Sequence, residues 1–394
     1  MKKSFLLAGV VAVAGALSSC KQKDNVDIVH YSEEDYATIS QYLDLPQLPP
    51  SYKAALPNHL TRQGLSAVDV DRDEATLGRV LFYDKNLSSD KTISCASCHR
   101  QEIGFSDDRA VSLGVESRVG ERNSIALSSV ANFSAYYGTD LNGGAAIPFF
   151  WDNRAETASA QNIASMINPL EMNMTEHQIV EAVKAQPYYK PLFKMAYGSE
   201  EISTVKVSKA IAAFVNSMGS YQSRFDAGAN SVLNGAYDFS SPYERDFASF
   251  SAQENRGKQL YMDNCASCHS NSFGRPVKLY ANNGIDEVTT DPGVGGVSGA
   301  ASQKGTFKVP TLRNIALTAP YMHDGRFATL EQVIDHYSTG IKSHPNLSAE
   351  LRYLNNEPRK FNFSGTDKAD LVAFLNTLTD DVFRADSRYA NPFK

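Results

Sequence analysis

Cys95-Ala96-Ser97-Cys98-His99 recurs residue for residue as Cys265-Ala266-Ser267-Cys268-His269. Cys-x-x-Cys-His is the attachment pattern of c-type haem: two thiols add across the haem vinyl groups, and the adjacent His is held under the iron as proximal ligand. One such pentapeptide can arise by chance in a long chain; two with an identical core point to design. The competing reading of a Cys-x-x-Cys pair is a redox dithiol or half a zinc site, and neither calls for a His directly after the second Cys. Two covalently bound haems c are therefore expected, one on Cys95, Cys98 and His99, the other on Cys265, Cys268 and His269.

The chain has five Cys, and four are used by these motifs, which leaves no pair for a structural disulfide. The fifth, Cys20, follows a charged Met1-Lys2-Lys3 start, an apolar stretch from Phe5 to Leu17, and Ser18-Ser19. That order reads as a signal peptide rather than a membrane span. Cys after Leu-Ser-Ser resembles a bacterial lipobox, in which Cys20 becomes the lipidated first residue; an ordinary signal peptide with an incidental Cys is the alternative. The expected location is the bacterial cell envelope, on the periplasmic side, with the membrane touched only through lipid at Cys20. No other apolar run approaches the ~20 residues of a transmembrane helix. At 394 residues the chain is too long for one core and suggests two domains. A net charge of −6 argues against nucleic acid and would suit a basic electron donor.

Helical periodicity dominates after residue 70. Leu77, Val80 and Leu81 share a face before the first haem motif. Thr175 to Gln178 forms a capping-box pattern opening a helix that ends by Pro187. Val207, Ala210, Ile211, Phe214, Val215 and Met218 form an amphipathic stripe, and Leu371, Phe374, Leu375 and Leu378 another. Strand alternation is scarce. The glycine-rich run Asp291–Gly305 reads as a surface loop; no strand precedes it and no Gly-Lys-Ser/Thr follows, so it is not a phosphate cradle. The expected fold class is mainly α: two cytochrome c-like helical haem domains packed together. The expected organisation is a lipoprotein signal peptide over 1–20, a tether and extended lead-in over 21–70, one haem domain over 71–240 and a second over 241–394.

Several blocks resemble the bacterial di-haem cytochrome c peroxidase family, which includes the MauG-type enzymes. They are Leu77-Gly78-Arg79-Val80-Leu81-Phe82-Tyr83-Asp84, Phe150-Trp151-Asp152-Asn153-Arg154-Ala155, Asn168-Pro169-Leu170-Glu171-Met172, Phe307-Lys308-Val309-Pro310-Thr311-Leu312-Arg313-Asn314, and Thr318-Ala319-Pro320-Tyr321-Met322-His323-Asp324-Gly325. The resemblance implies a peroxidatic N-terminal haem and a C-terminal haem that relays electrons. It implies that Glu171 is the distal acid–base residue, and that Trp151, the only Trp, lies between the haems and carries electrons. A Ca²⁺ ion between the domains is implied too, with Asn123 and the carbonyls of Thr318 and Pro320 among its ligands; oxygen donors suit that cation.

Two departures from the common pattern carry information. Many members cap the resting peroxidatic iron with a His in a Ser-x-Gly-His stretch; here the stretch is Ser112-Leu113-Gly114-Val115, and Val115 cannot ligate iron. An open first haem, active without prior reduction, is expected unless another ligand replaces that His. The peroxidases ligate the second haem with a Met 14 residues after the His of the His-Asp-Gly block; counted from His323, that position is Tyr337. Leu330, Val333, Ile334 and Tyr337 share a helical face, so Tyr337 points inward with the apolar stripe, and MauG-type enzymes have Tyr as the axial ligand here. Phenolate ligation lowers a haem's potential where Met raises it. His336, one residue off the stripe, is the competing ligand.

Three functions follow. The first is a peroxidase that reduces hydrogen peroxide to water with electrons from a small cytochrome c or similar donor. The second is MauG-like, peroxide-dependent oxidation of residues in a partner protein. The third is a non-enzymatic electron carrier, which would require both irons to be closed by protein ligands.

Overall fold

The computed structural model describes residues 30–130, 148–233 and 241–394; Cys20 and the signal-like segment lie outside them. Asp71 starts helix α2 (Arg72–Tyr83, after α1, Glu33–Tyr42) by accepting from the amides of Asp73 and Glu74. Leu77, Val80 and Leu81 of α2 are fully buried, as their spacing predicts. Helix α3 (Ala158–Ile167) follows, then α4 (Glu176–Lys184), opened by the Thr175–Gln178 capping box. In α5 (Thr204–Ser217) the stripe Val207, Ala210, Ile211 and Phe214 is fully buried.

Where α2 crosses α5, a Cβ on Gly78 would fall 1.8 Å from the Ala210 carbonyl oxygen, so only glycine allows the helices to come this close. The C-terminal half repeats the device. Its α6 (Ala252–Asn264) crosses α8 (Gly365–Asn376), and a Cβ on Gly257 would fall 1.9 Å from the Asp370 carbonyl oxygen. Each crossing brings up a Phe, Phe214 or Phe374, and each seeds its own apolar cluster. The halves are thus mainly helical units of one plan. Strand structure among the described residues is confined to β1 (Tyr280–Ala281), antiparallel to β2 (Phe307–Lys308), apart from isolated bridges.

Three segments differ from expectation. Residues 30–70, expected as tether and extended lead-in, hold α1 and a short helix Asn58–Thr61. Tyr31, Ile39, Leu43, Leu45 and Tyr52 of that stretch pack into the N-terminal cluster. Phe383 and Tyr389, assigned by sequence to the C-terminal unit, also pack there, because α8 ends at Asn376 and the tail turns back. The glycine-rich run is not a plain loop: it contains a helix over Val294–Ser298, and Asp291 anchors it by accepting from Arg122 at 2.8 Å.

A buried ion cluster ties the lead-in to the C-terminal half. Arg313 donates twice to Asp226 at 2.9 Å, and His59 Nε2 lies 2.9 Å from the same carboxylate. Arg313 holds the Asp226 carboxyl well below the usual range despite burial. Removing one partner of such a buried pair typically costs ~3–5 kcal/mol.

Candidate functional site

Each haem motif forms a single helical turn that opens onto its own cavity. Cys95, Cys98 and His99 line one of about 340 Å³. Cys265, Cys268 and His269 line the other, of about 230 Å³. His99 Nδ1–H donates to the Phe105 carbonyl at 3.0 Å, and His269 Nδ1–H to the Pro310 carbonyl at 3.1 Å. A carbonyl only accepts, so the proton is fixed on Nδ1 and the Nε2 lone pair is left available in each ring. Burial lowers both imidazole pKa values, which keeps the rings neutral and fit to ligate. No disulfide joins the four motif cysteines, and burial pushes the Cys95 and Cys265 thiols up to about 12 and that of Cys98 up to about 11. Paired protonated thiols, a preset imidazole and a mostly apolar cavity fit a covalently held haem.

The walls facing the two His residues differ. Glu171 lines the N-terminal cavity with Gln161, Ser165 and Asn168. Its Oε1 accepts from Asn168 Nδ2 at 2.8 Å. Burial raises the Glu171 pKa, against smaller opposing effects of Ser165, Asn168 and Arg154. Val115 is fully buried outside this lining, its amide donating to the Glu171 carbonyl at 2.9 Å. Among the described residues lining this cavity, His99 is the only His.

In the C-terminal cavity Leu330, Val333, Ile334 and Tyr337 all face inward, as the stripe predicts. Helix α7 (Leu330–Asp335) passes at His336 into one wide π-turn, His336–Gly340, which carries Tyr337. Burial pushes the Tyr337 phenol up to about 12. His336 is outside the lining, its Nε2 3.0 Å from the Asn283 carbonyl. Met322 was not foreseen here; it lines the cavity, and its sulfur accepts from Asn283 Nδ2 at 3.3 Å.

Trp151 lines both cavities. Its indole N–H donates to the Asn123 carbonyl at 2.8 Å, and its own carbonyl accepts from the Lys308 amide at 2.7 Å. Lys308 itself lines both cavities, donates from Nζ to the Pro148 carbonyl at 2.8 Å, and is pushed down to about 7 by burial. Local sequence gives Lys308 no role beyond its place in the Phe307–Asn314 block, since Trp151 and Pro148 lie far off in the chain. Asn123, Thr318 and Pro320 all line the C-terminal cavity.

Comparison with known proteins agrees with this geometry. The family model of di-haem cytochrome c peroxidase matches residues 72–232, and that of cytochrome c matches 254–379. The chain is 32% identical over 354 residues to methylamine utilization protein MauG of Methylorubrum extorquens, covering 88% of this chain and 86% of that protein. It is 33% identical over 315 residues to cytochrome c551 peroxidase of Nitrosomonas europaea, covering 78% and 80% respectively. A solved MauG-like protein associated with microbial copper homeostasis superposes with a TM-score of 0.68 at 30% identity, over 87% of this chain and 98% of that one. The chain thus belongs to the di-haem cytochrome c peroxidase and MauG family, carries two c-type haems, and is an oxidoreductase of the peroxidase type.

Proposed function

We propose that this protein reduces hydrogen peroxide at the His99 site, using electrons that a small c-type cytochrome delivers through the His269 site. The carrying observation is the unequal dressing of two otherwise matched cavities: a desolvated carboxylate, Glu171, in one and a buried phenol, Tyr337, in the other. Haem bound at His99 would supply the iron that receives peroxide oxygen and the electrons that break the O–O bond. Glu171 takes the proton from the near oxygen and returns it to the departing one, and the Asn168 amide holds its carboxylate in place. Trp151 lies on the wall common to both cavities, where it can pass charge between them. Asn123, Thr318 and Pro320 of the C-terminal cavity lining would supply oxygen donors for Ca²⁺. Lipidation at Cys20, exposed to the periplasm, completes the proposal; the mass of the mature N-terminal peptide tests it.

Tyr337 favours a second reading, peroxide-dependent oxidation of residues in a partner protein, since Tyr at this position is a MauG-like feature. Peroxide-driven oxidation of a reduced monohaem cytochrome c by the purified protein tests the first reading. Sustained turnover that is lost in Glu171→Gln supports it. Peroxide consumption without cytochrome oxidation sinks the donor half of the proposal and leaves the second reading.

A further inference from the structure

Around the mouth of the C-terminal cavity the charge runs against that of the chain. The chain as a whole carries −6, yet the two segments that frame this mouth, 270–281 and 347–361, are basic. Along these two segments the chain carries Arg275, Lys278, Arg352, Arg359 and Lys360 against two acids, Glu350 and Glu357. Lys278 pairs with Glu350 at 2.6 Å and so ties the two segments together. Both segments reach the haem motif: the Val277 amide donates to the Cys268 carbonyl at 2.8 Å, and Glu350, Leu351 and Phe361 line the cavity.

Three apolar side chains stand out of this basic rim. Leu354 is 108% exposed, Val277 64% and Tyr353 49%. Scattered exposed hydrophobics need no explanation, but these lie on the two segments that Lys278 and Glu350 tie together beside one redox cavity. The Leu354 tip is a built structure: the Tyr353 amide donates to the Glu357 carbonyl at 2.8 Å, and the Arg359 amide to the Leu351 carbonyl at 2.8 Å. A small apolar centre inside a ring of one charge sign is the chemistry of a brief electron-transfer encounter, in which charge steers and orients while the small contact area permits release.

We propose that this rim, centred on Leu354 and Val277, is the docking surface for a small acidic redox protein. The local field, rather than the negative total, selects the partner, which reverses the basic donor suggested by composition. The inference rests on the reading that electrons enter at the His269 site.

The test uses the holoprotein and two monohaem c-type cytochromes, one of net negative and one of net positive charge. Binding is followed by NMR shift changes on each cytochrome, and reduction of the C-terminal haem by stopped-flow absorbance. At low salt the acidic cytochrome should bind and react at least about tenfold faster than the basic one, and that advantage should shrink as salt rises. Arg352→Glu combined with Lys360→Glu should invert the preference. Leu354→Ser should weaken binding while leaving the salt slope unchanged. Unaltered haem spectra confirm folding of each variant. Tighter binding of the basic cytochrome, no response to charge reversal, or no binding of either overturns the proposal. Peroxide turnover driven by a small chemical reductant separates the failures: if it persists, only the docking surface is wrong; if it too is absent, the peroxidase reading falls.

Discussion

The two haem regions begin alike and end differently. Both present Cys-Ala-Ser-Cys-His, both fix the imidazole tautomer with a backbone carbonyl, and both are framed by a helix pair crossing at a glycine. What differs is the opposite wall. At the N-terminal cavity the turn that carries Val115 packs away and leaves Glu171 on the lining; at the C-terminal cavity a π-turn brings Tyr337 into it. A shared scaffold thus sets where haem is held, and on the proposed reading a few facing residues divide peroxide chemistry from electron relay. Fold and attachment motif alone do not distinguish those roles.

The largest expected effect sits on one side only. Glu171→Gln should lower kcat/KM for peroxide by about 10²–10⁴-fold, since a positioned acid–base group contributes that much, and should leave the C-terminal haem spectrum unchanged. Stopped-flow kinetics with peroxide checks this; an equal loss in a C-terminal variant with an intact N-terminal spectrum would dissolve the division of labour. The same carboxylate gives a pH signature. Because burial raises its pKa, Glu171 gains its proton at a higher pH than a solvated carboxylate would. Wild-type kcat/KM should therefore fall as pH drops through that raised value, and the limb should vanish in Glu171→Gln.

Tyr337→Phe is the mirror experiment: the C-terminal haem's optical and EPR spectra should change and its potential rise, with the N-terminal spectrum untouched. Both spectra unchanged would remove Tyr337 as a ligand. The glycine crossings test the shared scaffold. Gly78→Ala and Gly257→Ala should each cost about 1–3 kcal/mol by overpacking, read from denaturant midpoints followed by haem absorbance. Smallest is Lys308→Met. Removing a buried cation next to both cavities should lower both haem potentials by on the order of 50 mV. With a pKa of about 7, the shift should be larger at pH 6 than at pH 8, as measured by spectroelectrochemical titration.

Much of this was legible in local sequence, where one residue type does one job. The attachment motifs name their own ligands. The stripe Leu330, Val333, Ile334 and Tyr337 reports its face through helical period, and holds although a π-turn replaces the last α-turn, because one wide turn still delivers residue 337 to the same side. What escaped depends on contacts distant in sequence. Arg122 finds Asp152 and Asp291, and so fixes a glycine-rich run that local composition assigns to a loop. Lys308 is buried where its amide meets the Trp151 carbonyl and its Nζ the Pro148 carbonyl, both far off in the chain. The lead-in packs because Tyr31, Ile39 and Tyr52 meet a core built from residues far along the chain. The basic rim was hidden by the acidic total, since net charge averages over faces that partners meet singly.

On the proposed reading the N-terminal iron site is open on the Glu171 side, while Tyr337 closes the C-terminal one. The most direct measurement is to add one equivalent of hydrogen peroxide to the fully oxidised holoprotein, without reductant, and record rapid-mixing optical and EPR spectra. The ferric high-spin signal of the His99 haem should disappear within the mixing time. An oxidised protein that stays silent until it receives one electron would mean that another side chain covers the first iron, and would contradict that reading.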